Sequence, residues 1–248
     1  MMKTFWTSLV TALMLFHSAW AVDHKTTAVE LRAADGISVF GTAYWAKDPR
    51  ATILLFHQAG ASRIEYKTIA PRLVQAGYNV LAIDQRAGGN LFGGNNATAK
   101  RFGHEASYLE AKPDLQAALD WALMQHLPVI LWGSSYSSAL VFLLAAENPG
   151  KVAALLSFSP NEYLGSPKLV GTAAASVNIP MFVTSSMDTD EIAGAKAILS
   201  AAPSNAKTQF VPKKGGVHGS STLDEKRNAK GAEENWLAVL TFLQDLKL

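Results

Sequence analysis

Five stretches of this chain, residues 51–56, 79–83, 129–132, 152–158 and 181–184, are almost unbroken runs of apolar residues. A strand with one wet face alternates apolar with polar side chains. A continuous apolar run must instead be covered on both faces, as in a parallel sheet sandwiched between helices. Helical patterns fill the gaps between the runs. Leu115, Leu119, Ala122 and Leu123 share a face of a segment opened by Pro113-Asp114, while Ile69, Leu73 and Val74 mark a helix with Pro71 in its first turn and Gly77 at its end. Trp236, Val239, Leu240 and Leu243 stripe a last helix that Glu233 and Glu234 open. Residues 28–32 and 37–45 behave differently, alternating around Asp35-Gly36 as an antiparallel hairpin. Residues 208–211 add one more strand. The pattern predicts an α/β fold, a mostly parallel doubly wound sheet with an antiparallel N-terminal hairpin.

At 248 residues, 49% of them apolar and 17% charged, the chain can bury one sizeable core. Lys3 is followed by an uncharged run, 4–16, and then by Ala19-Trp20-Ala21. This is the pattern of a secretory signal peptide over residues 1–21, leaving 22–248 as a single domain. The run is shorter than the ~20 residues that span a bilayer, so no stable membrane insertion is expected after cleavage. The expected location is exported, periplasmic or secreted. There is no cysteine, which excludes disulfides and thiolate chemistry. With a net charge of +2 and no basic block, nothing points to nucleic acid. His24, His104 and His126 form no pair at ligand spacing, so no metal is expected. Residues 88–107 read as one long Gly- and Asn-rich loop, of the kind that is usually functional or mobile. Its glycines lack the spacing of a phosphate loop. Asn96-Ala97-Thr98 matches a glycosylation sequon, read as a chance match.

Chemistry enters at Gly133-Ser134-Ser135-Tyr136-Ser137, between the apolar run 128–132 and the helical run 139–146. A tight strand-to-helix turn forces its middle side chain outward, and small flanking residues let strand and helix approach. Ser135 is therefore the expected nucleophile, with the N–H of Tyr136 at the helix N-terminus facing a developing oxyanion. A serine hydroxyl needs a base, and the base needs an acid to orient it. His218, in Gly215-Gly216-Val217-His218-Gly219, is the single histidine downstream of Ser135. The acid is expected just beyond the apolar run at 181–184, where Asp188 stands first. Asp190 is the alternative, and Asp190 and Glu191 otherwise read as caps of the following helix.

These stretches together resemble the α/β-hydrolases, in particular the dienelactone-hydrolase-like branch of small esterases with little or no lid, over residues 27–246. The resemblance is carried by Phe56-His57-Gln58-Ala59-Gly60-Ala61, by Ile83-Asp84-Gln85-Arg86-Ala87-Gly88, by the turn at 133–137, by Ser185-Ser186-Met187-Asp188 and by Val217-His218-Gly219. It implies a second oxyanion N–H from Gln58 or Ala59, with His57 as part of that loop's architecture. It also implies a cofactor-free serine hydrolase that cleaves carboxylic esters of small molecules through an acyl-enzyme. A peptidase or amidase with the same triad, and a binding protein on a hydrolase scaffold, are the alternatives. Ser137 replaces the usual last glycine of the turn, Ser185 replaces the glycine usual before the acid, and the cysteine nucleophile of dienelactone hydrolases is absent. Arg86 either binds an anionic substrate group or has a structural role, paired with Asp84 or a loop carbonyl. Tyr163 and Met187 are candidate cleft residues.

Overall fold

The computed structural model describes residues 25–248, so the expected leader at 1–21 lies outside the described residues. The hairpin is β1 (Thr26–Arg32) and β2 (Ser38–Tyr44). The remaining strands are β3 (Ala51–Phe56), β4 (Tyr78–Ile83), β5 (Val129–Ser134), β6 (Ala154–Phe158), β7 (Met181–Thr184) and β8 (Lys207–Phe210). They form one eight-stranded sheet in the order β1-β2-β4-β3-β5-β6-β7-β8. Pairing is antiparallel from β1 to β2 and from β2 to β4, and parallel from there onward.

The continuous apolar runs are double-faced, as expected. In β3, Leu54 and Phe56 enter one core, whereas Ala51, Ile53 and Leu55 enter the other. The first core is closed by α3 (Lys112–Leu123), α4 (Tyr136–Glu147), α5 (Leu169–Ala174) and α6 (Thr189–Ala201). The second is closed by α1 (Ile69–Gln75) and α7 (Ala232–Asp245), whose Trp236, Val239 and Leu243 are buried against it. Trp132 and Phe158 stack in this second core with ring centroids 4.4 Å apart. Among the described residues no helix is long and apolar enough to cross a membrane.

The segment at 88–107 departs from its reading as plain loop. It contains α2 (Ala97–Phe102), a six-residue helix too short to register as a period. Asn96 caps it by accepting the Ala99 N–H at 2.7 Å, and Gly103 ends it at φ 84°. The Asn96 side-chain amide also donates to the Gln85 carbonyl at 2.9 Å. Asn96 is buried, so the sequon is sealed inside the fold. Since parallel strands end at one edge of the sheet, the turns after β3, β4, β5, β6 and β7 converge there, and that edge carries the site.

Candidate active site

From Val129 to Ala145 every residue is buried except Ser135. The reason is the backbone. Ser135 joins β5 to α4 at φ 57° and ψ −124°, a conformation L-residues rarely adopt and one that costs of order 1–3 kcal/mol. The turn is held by the Ser135 N–H on the Phe158 carbonyl at 2.9 Å and the Ser138 N–H on the Ser135 carbonyl at 2.8 Å. Gly133 is required for the turn, because a Cβ there would overlap the Ser137 carbonyl. Ser137, in place of glycine, is used rather than merely tolerated. Its hydroxyl donates to the His57 carbonyl at 2.6 Å and accepts from the Gln85 amide.

Ser135 Oγ lies 2.8 Å from Nε2 of His218. The other ring nitrogen, Nδ1, lies 2.7 Å from Oε1 of Glu191. The acid facing His218 is thus Glu191, not Asp188, and this corrects the sequence expectation. Asp188 is exposed and serves as the N-cap of α6, accepting the N–H groups of Asp190 and Glu191 at 2.9 and 3.1 Å. Asp190 is exposed in the first turn. The Asp188 carboxylate is taken up by the cap, and the glutamate in the first turn of the helix is the one that reaches the imidazole. Oε2 of Glu191 accepts the Ser186 N–H at 3.0 Å, which fixes the carboxylate plane.

Burial alone would raise the Glu191 carboxyl, yet hydrogen bonds from His218, the Ser186 N–H and the Ser159 hydroxyl hold it down at about 2. That carboxylate in turn raises His218 above its ordinary value, against the opposing pull of burial. With Glu191 ionised, Nδ1–H donates to it, and Nε2 is left as an acceptor for the Ser135 hydroxyl. Ser159, at φ 57° after β6, also accepts the Gly219 N–H at 2.9 Å and so steadies the histidine loop. Nothing in the sequence around Ser159 distinguished it.

The loop after β3 supplies the second candidate oxyanion donor. The two possibilities, Gln58 and Ala59, are separated by what their amides touch. The Gln58 N–H donates to Oε2 of Glu65 at 2.8 Å and is spent. Among the described residues the Ala59 N–H has no protein acceptor, which leaves Ala59 as the loop's candidate donor, in addition to Tyr136. His57 is fully buried, with Nδ1 on the Gln58 carbonyl at 2.8 Å and Nε2 accepting the Gln85 N–H at 2.9 Å. Burial pushes His57 below its ordinary value, so it stays neutral as a bracket of the loop.

Arg86 does not face the cleft and does not pair with Asp84. Its side chain is 3% exposed and is locked to Asp114 at 2.6 Å on one side and to Asp35 on the other. It joins the β1–β2 turn to α3 and β4. Asp84 pairs with Arg63 and accepts the Arg63 and Ala97 N–H groups, each at 2.8 Å. Tyr163 donates its hydroxyl to the Ser159 carbonyl at 3.1 Å and lines a cleft of about 500 Å³ with Tyr108 and residues 105–107. Tyr108 stacks on Tyr136 at 4.5 Å, so this cleft abuts the N-terminus of α4. Met187 is half-exposed beside the acid turn, outside that cleft lining.

The fold agrees with what the chain is similar to. Residues 47–216 match the family model described as serine aminopeptidase, S33, a segment that contains Ser135 and Glu191 and stops just short of His218. No curated protein sequence matches the chain. Among solved structures, an esterase from Pyrococcus furiosus superposes with a TM-score of 0.68 at 19% identity, covering 90% of this chain and 93% of its own. A carboxyl esterase from Bacillus coagulans superposes at 0.66 and 12% identity, covering 90% and 99%. Dienelactone hydrolase from Anabaena variabilis superposes at 0.61 and 22% identity, covering 76% and 85%. At such identities the likeness is one of fold.

Proposed function

Because the chain belongs to the serine aminopeptidase S33 family of hydrolases, we propose that it hydrolyses carboxylic esters of small molecules with Ser135, His218 and Glu191 as its triad. The observation that carries the reading is the continuous chain from Ser135 Oγ to His218 Nε2 to Glu191, at 2.8 and 2.7 Å, on a strained turn that exposes a single hydroxyl. Ser135 Oγ attacks the acyl carbonyl while Nε2 of His218 takes its proton, and Glu191 stabilises the imidazolium that results. The carbonyl oxygen becomes an oxyanion received by the N–H groups of Tyr136 and Ala59, donors worth on the order of 10²–10³ in rate each. Collapse breaks the bond to the alcohol, which leaves with the proton from Nε2. Water, deprotonated by the same nitrogen, then attacks the acyl-enzyme and frees the acid and Ser135.

The family description raises a second reading, removal of an N-terminal residue from a peptide. An aminopeptidase must hold the α-ammonium of its substrate beside the scissile bond. The carboxylates hydrogen-bonded into the site are already committed, Glu191 to His218 and Glu65 to the Gln58 N–H and the Ser134 hydroxyl, and neither is free to take that ammonium. This favours esters over free amino termini. Hydrolysis of p-nitrophenyl acetate and butyrate, compared with aminoacyl p-nitroanilides, tests it. Turnover of the esters that is lost in Ser135→Ala is expected, and turnover of the anilides alone would overturn the preference. Export is part of the same proposal and rests on residues 3–21.

A further inference from the structure

We propose that Glu65 is a positioning residue, a buried carboxylate that sets the oxyanion loop, the serine turn and the histidine loop relative to one another. The inference rests on the reading of Ser135 as nucleophile. Glu65 lies in a short turn of 3₁₀ helix after the oxyanion loop and is 1% exposed. Its two oxygens have separate duties. Oε2 accepts the Gln58 N–H at 2.8 Å, and Oε1 accepts the Ser134 hydroxyl at 2.7 Å. Ser134 Oγ in turn accepts the Ser220 N–H at 2.8 Å. One carboxylate therefore reaches the residue before Ala59, the residue before Ser135, and, through one hydroxyl, the loop two residues beyond His218.

The chemistry calls for a carboxylate. A carboxylate offers a separate acceptor oxygen to each of these two donors, whereas an amide in its place presents one acceptor oxygen and an N–H donor group. By engaging the Gln58 N–H, Glu65 also leaves Ala59 as the loop amide free to face a substrate oxygen. The contact at Gly219 belongs to the same junction, since a Cβ there would crowd Ser134 Oγ and the Gln58 side chain. No cation forms an ion pair with Glu65 among the described residues, and burial pushes its carboxyl up to about 7. A carboxylate held in so unfavourable a place is a poor stabiliser of the fold, and its use lies in geometry.

The test combines the rate of Ser135 labelling by a fluorophosphonate, kcat and KM for p-nitrophenyl butyrate, and Tm at pH 8, on the full chain. Glu65→Gln, nearly the same shape, is expected to slow labelling and kcat by 10- to 100-fold. KM is expected to stay within about threefold and Tm at or above that of the parent. Ser134→Ala, which cuts the link while leaving Glu65 on Gln58, is expected to slow both rates by a smaller factor. Labelling of Glu65→Gln at the parent's rate overturns the inference and leaves the triad intact. A Glu65→Gln protein that fails to fold or melts well below the parent, with Ser134→Ala at full rate, assigns Glu65 to stability and also overturns it. Absence of labelling at Ser135 in the parent overturns the reading on which it rests.

Discussion

The two halves of the site are built differently. On the serine side, residues 57, 65, 85, 134 and 137 are all buried and are tied by side-chain hydrogen bonds in two sets, 57 with 85 and 137, and 65 with 134. On the acid–base side, the side chains of His218 and Glu191 are 42% and 21% exposed, and they hang from a loop and from the first turn of α6. The contrast follows from what each half must do in the proposed reaction. The attacking hydroxyl and the oxyanion donors gain from fixed placement in a site that excludes water, because such groups then need no rearrangement as charge develops. The imidazole has to exchange protons with a leaving group and with water, and that requires access. The serine side spends conformational strain and a buried carboxylate on rigidity, while the acid–base side depends on one short hydrogen bond.

Breaking that short bond is expected to have the largest effect. Glu191→Gln keeps the size of the side chain but removes the charge that holds the imidazole tautomer, and kcat/KM should fall by on the order of 10⁴. It should also change the pH profile. In the proposed mechanism neutral His218 is the active form, so activity in the parent is expected to rise with pH through a value above the ordinary imidazole value, because Glu191 raises His218. Without the carboxylate that limb moves to lower pH, which a pH–rate profile of the residual activity will detect. A limb that does not move would mean that Glu191 does not govern His218.

On the rigid side, an effect on stability and not on substrate affinity is expected from Arg86→Ala. It leaves Asp114 buried and unpaired, a situation that costs about 3–5 kcal/mol. Denaturant unfolding should show this loss, while KM for a neutral and an anionic ester should change by the same factor. A selective rise in KM for the anionic ester would return Arg86 to the cleft. The smallest effect belongs to Asp188→Ala, which removes a helix cap and should cost about 1 kcal/mol with kcat within twofold of the parent. A collapse of kcat there would restore Asp188 as the acid.

The same contrast decides what could be read from the chain alone. The apolar runs of β3 to β7 and the small residues around Ser135 are local signals of burial and of a tight turn, and the sequence displays them directly. For the acid the sequence offers a local rule, the first carboxylate beyond the strand. That rule fails because Asp188 and Glu191 exchange the duties it assigns them. In Asp188-Thr189-Asp190-Glu191 the aspartate is the natural N-cap and the glutamate would normally turn back to the cap, but here it turns to a histidine 27 residues further on. Arg86 showed its charge but not its partners, which come from α3 and the first hairpin. Glu65 was invisible, since a single carboxylate in a short turn has neither period nor motif. The short α2 escaped for a related reason: its cap residues are present in the sequence, but six residues carry no period.

The measurement closest to the central claim is covalent labelling of the folded protein with a fluorophosphonate, mapped by peptide mass spectrometry, with Ser135→Ala and Glu191→Gln measured alongside. The account predicts a single adduct on Ser135, none in Ser135→Ala, and labelling slowed by orders of magnitude in Glu191→Gln. An adduct on any other residue, or labelling of Glu191→Gln at the parent's rate, would contradict it.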